Sequence, residues 1–119
     1  MKENILREKS FRFAIRIVNL YKHLCEEKRE FVLSKQVLRS GTSIGAMIRE
    51  SEYSESKKDF IHKLSVAQKE VNESIYWLDL LHATIYISPK QFESLNNDAV
   101  ELIKLITSSV KTAKSNINH

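Results

Sequence analysis

The sequence predicts an all-α fold, an up-down-up-down antiparallel four-helix bundle, and three observations carry that prediction. Only two Gly and one Pro occur in 119 residues, far too few turn signals for an all-β chain. Apolar residues recur three and four apart through most of the chain, the period of a helix with one buried face. The third observation is the breaks in that period, which are short and polar, the connection expected between neighbouring helices of a bundle. At a typical size of about 150 residues per domain, the chain reads as one domain over residues 1–119.

Helix 1 is predicted over residues 10–26. Phe13, Ile17, Leu20 and Leu24 form its inner stripe, and Phe11, Ala14, Val18, Tyr21 and Cys25 form a second stripe beside it. Together they cover roughly 220° of the circumference, at about 100° per residue. That exceeds what one face of a lone bundle uses, so helix 1 is expected to bury a further face against another subunit. The charged link Glu26–Glu30 leads to helix 2, predicted over 31–53, with Leu33, Val37, Ile44 and Ile48 inward. Its middle, Ser40-Gly-Thr-Ser-Ile-Gly45, has poor helix propensity. A local irregularity is expected there, a close approach of another helix at Gly41 and Gly45, or both.

Helix 3 is predicted over 57–86. Ser56 and Asp59 read as a capping box, and Phe60, Leu64, Ala67, Val71, Leu78, Leu81 and Ile85 form a seam broken only by Ser74. Helix 4 is predicted over 89–114, opened by Ser88 as N-cap, Pro89 at the first position and Gln91 closing a capping box. Residues 115–119 are expected to fray.

Catalytic and metal chemistry find little support in the residues. Asp59-x-x-His62 and Asp79-x-x-His82 resemble the pairs of di-iron bundles, but both lie on helix 3, roughly 30 Å apart. Glu70 and Glu73 could be an acid–base pair, although beside Lys69 they read better as a charged helix flank. Cys25 falls on the apolar face, where a thiol is inert, and His23 projects from a different side of the helix. The Gly residues stand alone, without a phosphate-cradling motif. A non-enzyme with no metal and no cofactor is the expectation; an enzyme would need a polar pocket with perturbed carboxylates at a subunit junction. One Cys, no apolar leader and no run of about 20 apolar residues point to a cytoplasmic protein with no membrane partner.

Nineteen Lys/Arg against fifteen Asp/Glu leave a net +4, with a pI near 9.2. The excess sits in residues 1–39, at +5, while residues 40–119 balance to −1. Such a bias favours anionic partners. Arg7, Lys9, Arg12 and Arg16 form the more suggestive patch. Lys104, Lys111 and Lys114 form a second line with no acidic residue after Glu101, although cations near a helix C-terminus are also favoured by the dipole. Trp77 and the four Tyr residues could stack on bases, but Trp77 adjoins the helix 3 seam and reads as a core or interface residue.

Two stretches carry a resemblance. Ser34-Lys-Gln-Val-Leu-Arg39-Ser-Gly-Thr-Ser-Ile44 runs into Gly45-Ala-Met-Ile-Arg-Glu50. Asp59-Phe-Ile-His-Lys-Leu-Ser-Val-Ala-Gln-Lys-Glu70 is followed by Asn72-Glu-Ser-Ile-Tyr-Trp-Leu78. The chain resembles the four-helix-bundle proteins encoded in intervening sequences of bacterial 23S ribosomal RNA genes, most strongly from Ser34 to Leu81. That resemblance implies a ring-like homo-oligomer, a pentamer, and a relation to the basic accessory protein of diversity-generating retroelements. The family often has Asn-Ile-x-Glu-Gly where this chain has Met47-Ile-Arg-Glu-Ser51, so a polar contact at the end of helix 2 does not carry over from the resemblance. Arg39, Glu70 and Glu73 match charged positions of the family motif and are expected to form a structural ion-pair set within the bundle. Removing one member of a buried pair typically costs about 3–5 kcal/mol, so Arg39→Ala is expected to destabilise or disassemble the protein.

These readings lead to a non-catalytic homo-oligomeric module that binds nucleic acid, structured RNA before DNA, through basic surfaces. Arg7, Lys9, Arg12 and Arg16 are its first candidates, Lys111 and Lys114 its second. A pentamer would raise the +4 per chain to about +20, and binding through counterion release would be salt-dependent. The alternative is a scaffold that binds a protein partner and uses its charge only for solubility.

Overall fold

The computed structural model describes residues 2–117 and the side chains of residues 5–116. Four helices span α1 (Lys2–Glu26), α2 (Leu33–Ser51), α3 (Lys57–Ala83) and α4 (Pro89–Ile117), and the described residues contain no strand. The molecule is elongated, 52 × 22 × 20 Å. Each helix packs on two others: α1 on α2 and α4, and α3 on α2 and α4, so α1 and α3 stand on a diagonal. Along each of three interfaces the numbering rises in one helix as it falls in the other. Ser10 lies against Gly45 and Ile17 against Gly41. Lys9 reaches Glu101 and Arg16 reaches Asp98. Gln68 bonds Thr107, and His82 stacks on Phe92.

The predicted inner stripes form the core, whereas in the second stripe of helix 1 Phe11 is exposed and Ala14, Val18, Tyr21 and Cys25 are half-buried. Phe13, Ile17, Leu24, Val37, Ile44, Leu64, Val71, Leu78, Leu81, Leu102 and Ile106 are all fully buried. Burying a side chain of this size contributes on the order of 1.5–3 kcal/mol. Buried serines complete the seams, among them Ser10, Ser40 and Ser74. Ser74 is wholly buried, its Oγ 2.9 Å from the Glu70 carbonyl and 3.0 Å from Ser40 Oγ across the α2–α3 interface. Ser10 is buried in α1 and donates to the Arg7 carbonyl.

That serine explains why α1 starts at Lys2, ahead of the expected residue 10. Leu6 and Ser10 extend the stripe of Phe13 and Ile17 backwards, at spacings of four, three and four, and Leu6 is buried. A hydroxyl at the seam hides the continuation from a hydrophobic period, although it satisfies itself on its own helix.

α2 also departs from expectation. It runs unbroken from Leu33 to Ser51, inside the predicted 31–53, with no irregularity at Ser40–Gly45. The close-approach reading holds: a Cβ on Gly41 would sit 2.7 and 2.8 Å from Cγ1 and Cγ2 of Ile17. Local propensity is overridden because the neighbouring helix needs the space. Thr42 and Ser43 bond back to the Leu38 and Arg39 carbonyls within the helix.

Both capped helix starts form. Ser56 Oγ accepts from the Asp59 amide, while the Asp59 carboxylate accepts from the Glu55 amide and Lys63. The Lys63 ammonium and then the Glu55 amide hold the Asp59 carboxyl below its ordinary pKa. Ser88 and Gln91 form a reciprocal box, each side chain accepting from the other's amide, at 3.1 and 2.8 Å.

α3 ends at Ala83, short of the predicted residue 86, and Ile85 leaves the seam. The Tyr86 amide donates to the Leu81 carbonyl and the Ile85 amide to that of His82, a Schellman closure that puts Ile85 at φ 69° and leaves it 86% exposed. Ile87 takes the buried position in its place. α4 continues past the expected residue 114 to Ile117; the fraying expected at residues 118 and 119 lies outside the described residues.

Candidate nucleic-acid interface

The basic residues divide into two populations. On α1, all four candidates have carboxylate partners. Arg7 Nε lies 3.7 Å from Glu52, Lys9 Nζ 3.1 Å from Glu101, Arg12 Nη2 2.8 Å from Glu8, and Arg16 Nη1 2.6 Å from Asp98. Arg16 also donates to Ser94 Oγ and to the Ser94 carbonyl. Two of these pairs, those of Lys9 and Arg16, bridge α1 to α4. The +5 of residues 1–39 is therefore largely answered by acids that arrive from residues 40–119. Beside them, Arg49 stacks on the Phe11 ring at 5.0 Å, on the outer side of the α1–α2 pair.

The lysines of α4 are different. Lys104, Lys111 and Lys114 are exposed and make no ion pair among the described residues. Lys104 and Lys111 line a shallow groove of about 670 Å³ with Ile103, Thr107, Ser108 and Thr112. Thr107 accepts from Gln68 of α3, which ties the groove wall to the neighbouring helix. The Thr112 hydroxyl donates to the Ser108 carbonyl within the helix, so the two ammonium groups are what the groove offers a phosphate oxygen.

On the outer face of α3, Lys58, His62, Lys69 and Tyr76 are all exposed. At 100° per residue they fall within about 40° of arc, opposite the Leu64–Leu78 seam. A hydrophobic period does not reveal them. Their signal in the sequence is a spacing of four, seven and seven on the polar face.

Arg39, Glu70 and Glu73 meet at the α2–α3 interface. Arg39 Nη1 lies 3.2 Å from Glu70 Oε2, and Nη2 pairs with Glu73 Oε2. Trp77 Nε1 donates to that same Glu73 oxygen at 3.1 Å, and Tyr76 meets Trp77 edge-on at 5.0 Å between ring centres. The expected ion-pair set within the bundle forms, but the Arg39 side chain is 51% exposed, so it lies at the rim of the α2–α3 interface and is not a buried pair. A rim pair of this kind is worth up to about 1 kcal/mol, well below a buried one.

The other candidates stay apart. Cys25 is half-buried with its Sγ 3.8 Å from Ser34 Oγ. His82 lies flat on Phe92, their ring centres 4.7 Å apart. Among the described residues, no three His, Cys, Asp or Glu side chains are grouped to hold a metal, and no helix is long and apolar enough to cross a membrane.

The chain matches the family model described as 23S rRNA-intervening sequence protein over residues 2–108. It is also similar to a crystal structure of a protein of unknown function from the S23 ribosomal protein family of Bacteroides thetaiotaomicron. The two are 58% identical, with a TM-score of 0.93, over 93% of this chain and 99% of that one. No curated protein matches the chain.

Proposed function

For a chain that belongs to the 23S rRNA-intervening sequence protein family, we propose a non-catalytic role: a homo-oligomer of antiparallel up-down bundles that binds structured RNA through a basic face. The observation that carries this reading is the contrast between the two basic populations. The α1 cations are held by carboxylates, whereas Lys104, Lys111 and Lys114 make no ion pair among the described residues, and Lys104 and Lys111 line the α4 groove. Lys111 and Lys114 therefore rank ahead of Arg7, Lys9, Arg12 and Arg16 as phosphate ligands.

The apolar exposure supports the oligomer. Ile5, Phe11 and Ile15 on α1 are 43–51% exposed, and copies meeting there would cover them. An assembly through α1 leaves the diagonal helix α3 and the α4 groove open to solvent, and repeats the basic face once per copy.

The test is a titration of labelled structured RNA and duplex DNA at several salt concentrations. Binding should weaken steeply with salt. Replacing Lys111 and Lys114 together by Gln should flatten the logarithmic slope by about two phosphate contacts, and Arg12→Gln with Arg16→Gln should change it less. Absence of binding at low salt overturns the reading and favours the protein scaffold, for which exposed Phe31, Val32 and Ile85 at the opposite end of the bundle would be the contact.

A further inference from the structure

We propose that the outer face of α3 is a track for the single-stranded segments of a structured RNA, with Tyr76 as the surface on which an unpaired base stacks; the inference rests on the nucleic-acid reading above and names the part of the RNA that this face takes.

Three observations converge on it. Lys58, His62, Lys69 and Tyr76 share one face over 18 residues, about 27 Å of helix at 1.5 Å per residue. Neither Lys58 nor Lys69 has a carboxylate partner among the described residues. Of the acids flanking the track, Glu73 is engaged by Arg39 and the Trp77 indole and Asp59 by Lys63, while Asp79 is exposed three residues past Tyr76.

The aromatic end of the track is braced from behind. Arg39 holds Glu73, Glu73 holds Trp77, and the edge-on contact with Trp77 orients the Tyr76 ring while 58% of that residue stays exposed. An exposed aromatic with restricted freedom loses little entropy when a base lies on it. Backbone cations followed by an aromatic platform are the pattern by which single strands are held without base-specific hydrogen bonds. A duplex offers phosphates to such lysines but no free base face to the ring. The bland account of the same face, a solvated helix surface, explains the lysines but not the buttressed tyrosine.

Trp77 is the only tryptophan, so its emission reports directly on the neighbouring ring. The experiment titrates the full-length protein with labelled oligouridylate, following anisotropy and Trp77 fluorescence together. Wild type should bind with a change in Trp77 emission. Tyr76→Ala should weaken binding about tenfold, the order expected for one lost stacked base, and Tyr76→Phe should bind as wild type. Lys58→Gln with Lys69→Gln should lower the logarithmic salt slope by about 1.4, two phosphates at 0.7 each. All four positions are exposed, so the variants should fold, with circular dichroism as the check. If Tyr76→Ala binds as tightly as wild type while Lys111→Gln with Lys114→Gln loses binding, the α3 track is overturned and the RNA reading stands. If wild type binds neither oligouridylate nor structured RNA, both fall.

Discussion

Glu30 stands in a run of five charged residues, yet its carboxylate is the N-terminal cap of α2. It accepts from the amides of Val32, Leu33 and Ser34 at 3.2, 3.0 and 2.7 Å and is 9% exposed. Burial pushes its carboxyl up, but the amides of Leu33, Ser34 and Val32 together with the Ser34 hydroxyl outweigh that, and the pKa lies below the ordinary value. A lowered folded-state pKa contributes stability that is complete above the unfolded value, near 4.3, and lost as pH falls through the folded one. Glu30→Ala should therefore lower the unfolding free energy by about 1–2 kcal/mol at neutral pH, as for other lost N-caps, with the gap to wild type closing in acid. Urea denaturation of both proteins across pH measures this, and a gap constant into acid would refute the charge-based account. The sequence alone hid the cap because Glu is not a customary capping residue. Reaching three amides at once takes a turn in which Arg29 adopts φ 54°.

At the scale of the helix, two glycines one turn apart make opposite predictions. Gly41→Ala places a methyl against Ile17, which is fully buried and has nowhere to move. The clash should outweigh the roughly 1 kcal/mol of helix propensity gained, for a net loss of about 1–2 kcal/mol. Gly45→Ala meets only Ser10, at an ordinary 3.5 Å, so propensity should win and the protein should gain up to about 1 kcal/mol. Paired thermal melts decide it, and equal shifts for the two variants would discredit the close-approach account of Gly41. At the end of α3, Ile85 is β-branched and held in the left-handed region, which costs an L-residue about 1–2 kcal/mol. Its side chain is 86% exposed, so little packing offsets that strain. Ile85→Gly should raise the melting temperature, the reverse of what a glycine does inside a helix; a fall would mean that the side chain has an unseen stabilising contact.

For the whole molecule, the decisive quantity is which faces remain open. The α1–α4 interface is the thinnest of the four and is bridged by the ion pairs of Lys9 and Arg16, while the α1 exterior shows Ile15 at 47% exposure. Ile15→Glu leaves the core untouched and should lower the mass measured by light scattering to that of one chain, with helicity retained. A wild-type mass already equal to one chain would refute the proposed oligomer, and an oligomeric mass unchanged by the substitution would place the contact between copies on another face. On the proposed function, dissociation of the oligomer should also weaken RNA binding, since repeated patches lose their avidity.

The amino-acid sequence by itself determined the four helices, most of their buried stripes and two of their caps. These depend on spacing along one chain and on hydrogen bonds within one turn, as at Ser88–Gln91 and in the run from Phe13 to Leu24. Only the tertiary structure decided which charges are free. Arg7, Lys9 and Arg16 looked as available as Lys111 until Glu52, Glu101 and Asp98 were carried to them from 45 to 92 positions away. The same holds at Gly41, where Ile17 of another helix overrode local propensity, and at Arg39, which the packing of α2 on α3 left at the rim. Contacts between helices depend on their relative rotation and height, and no period within a single helix contains that information.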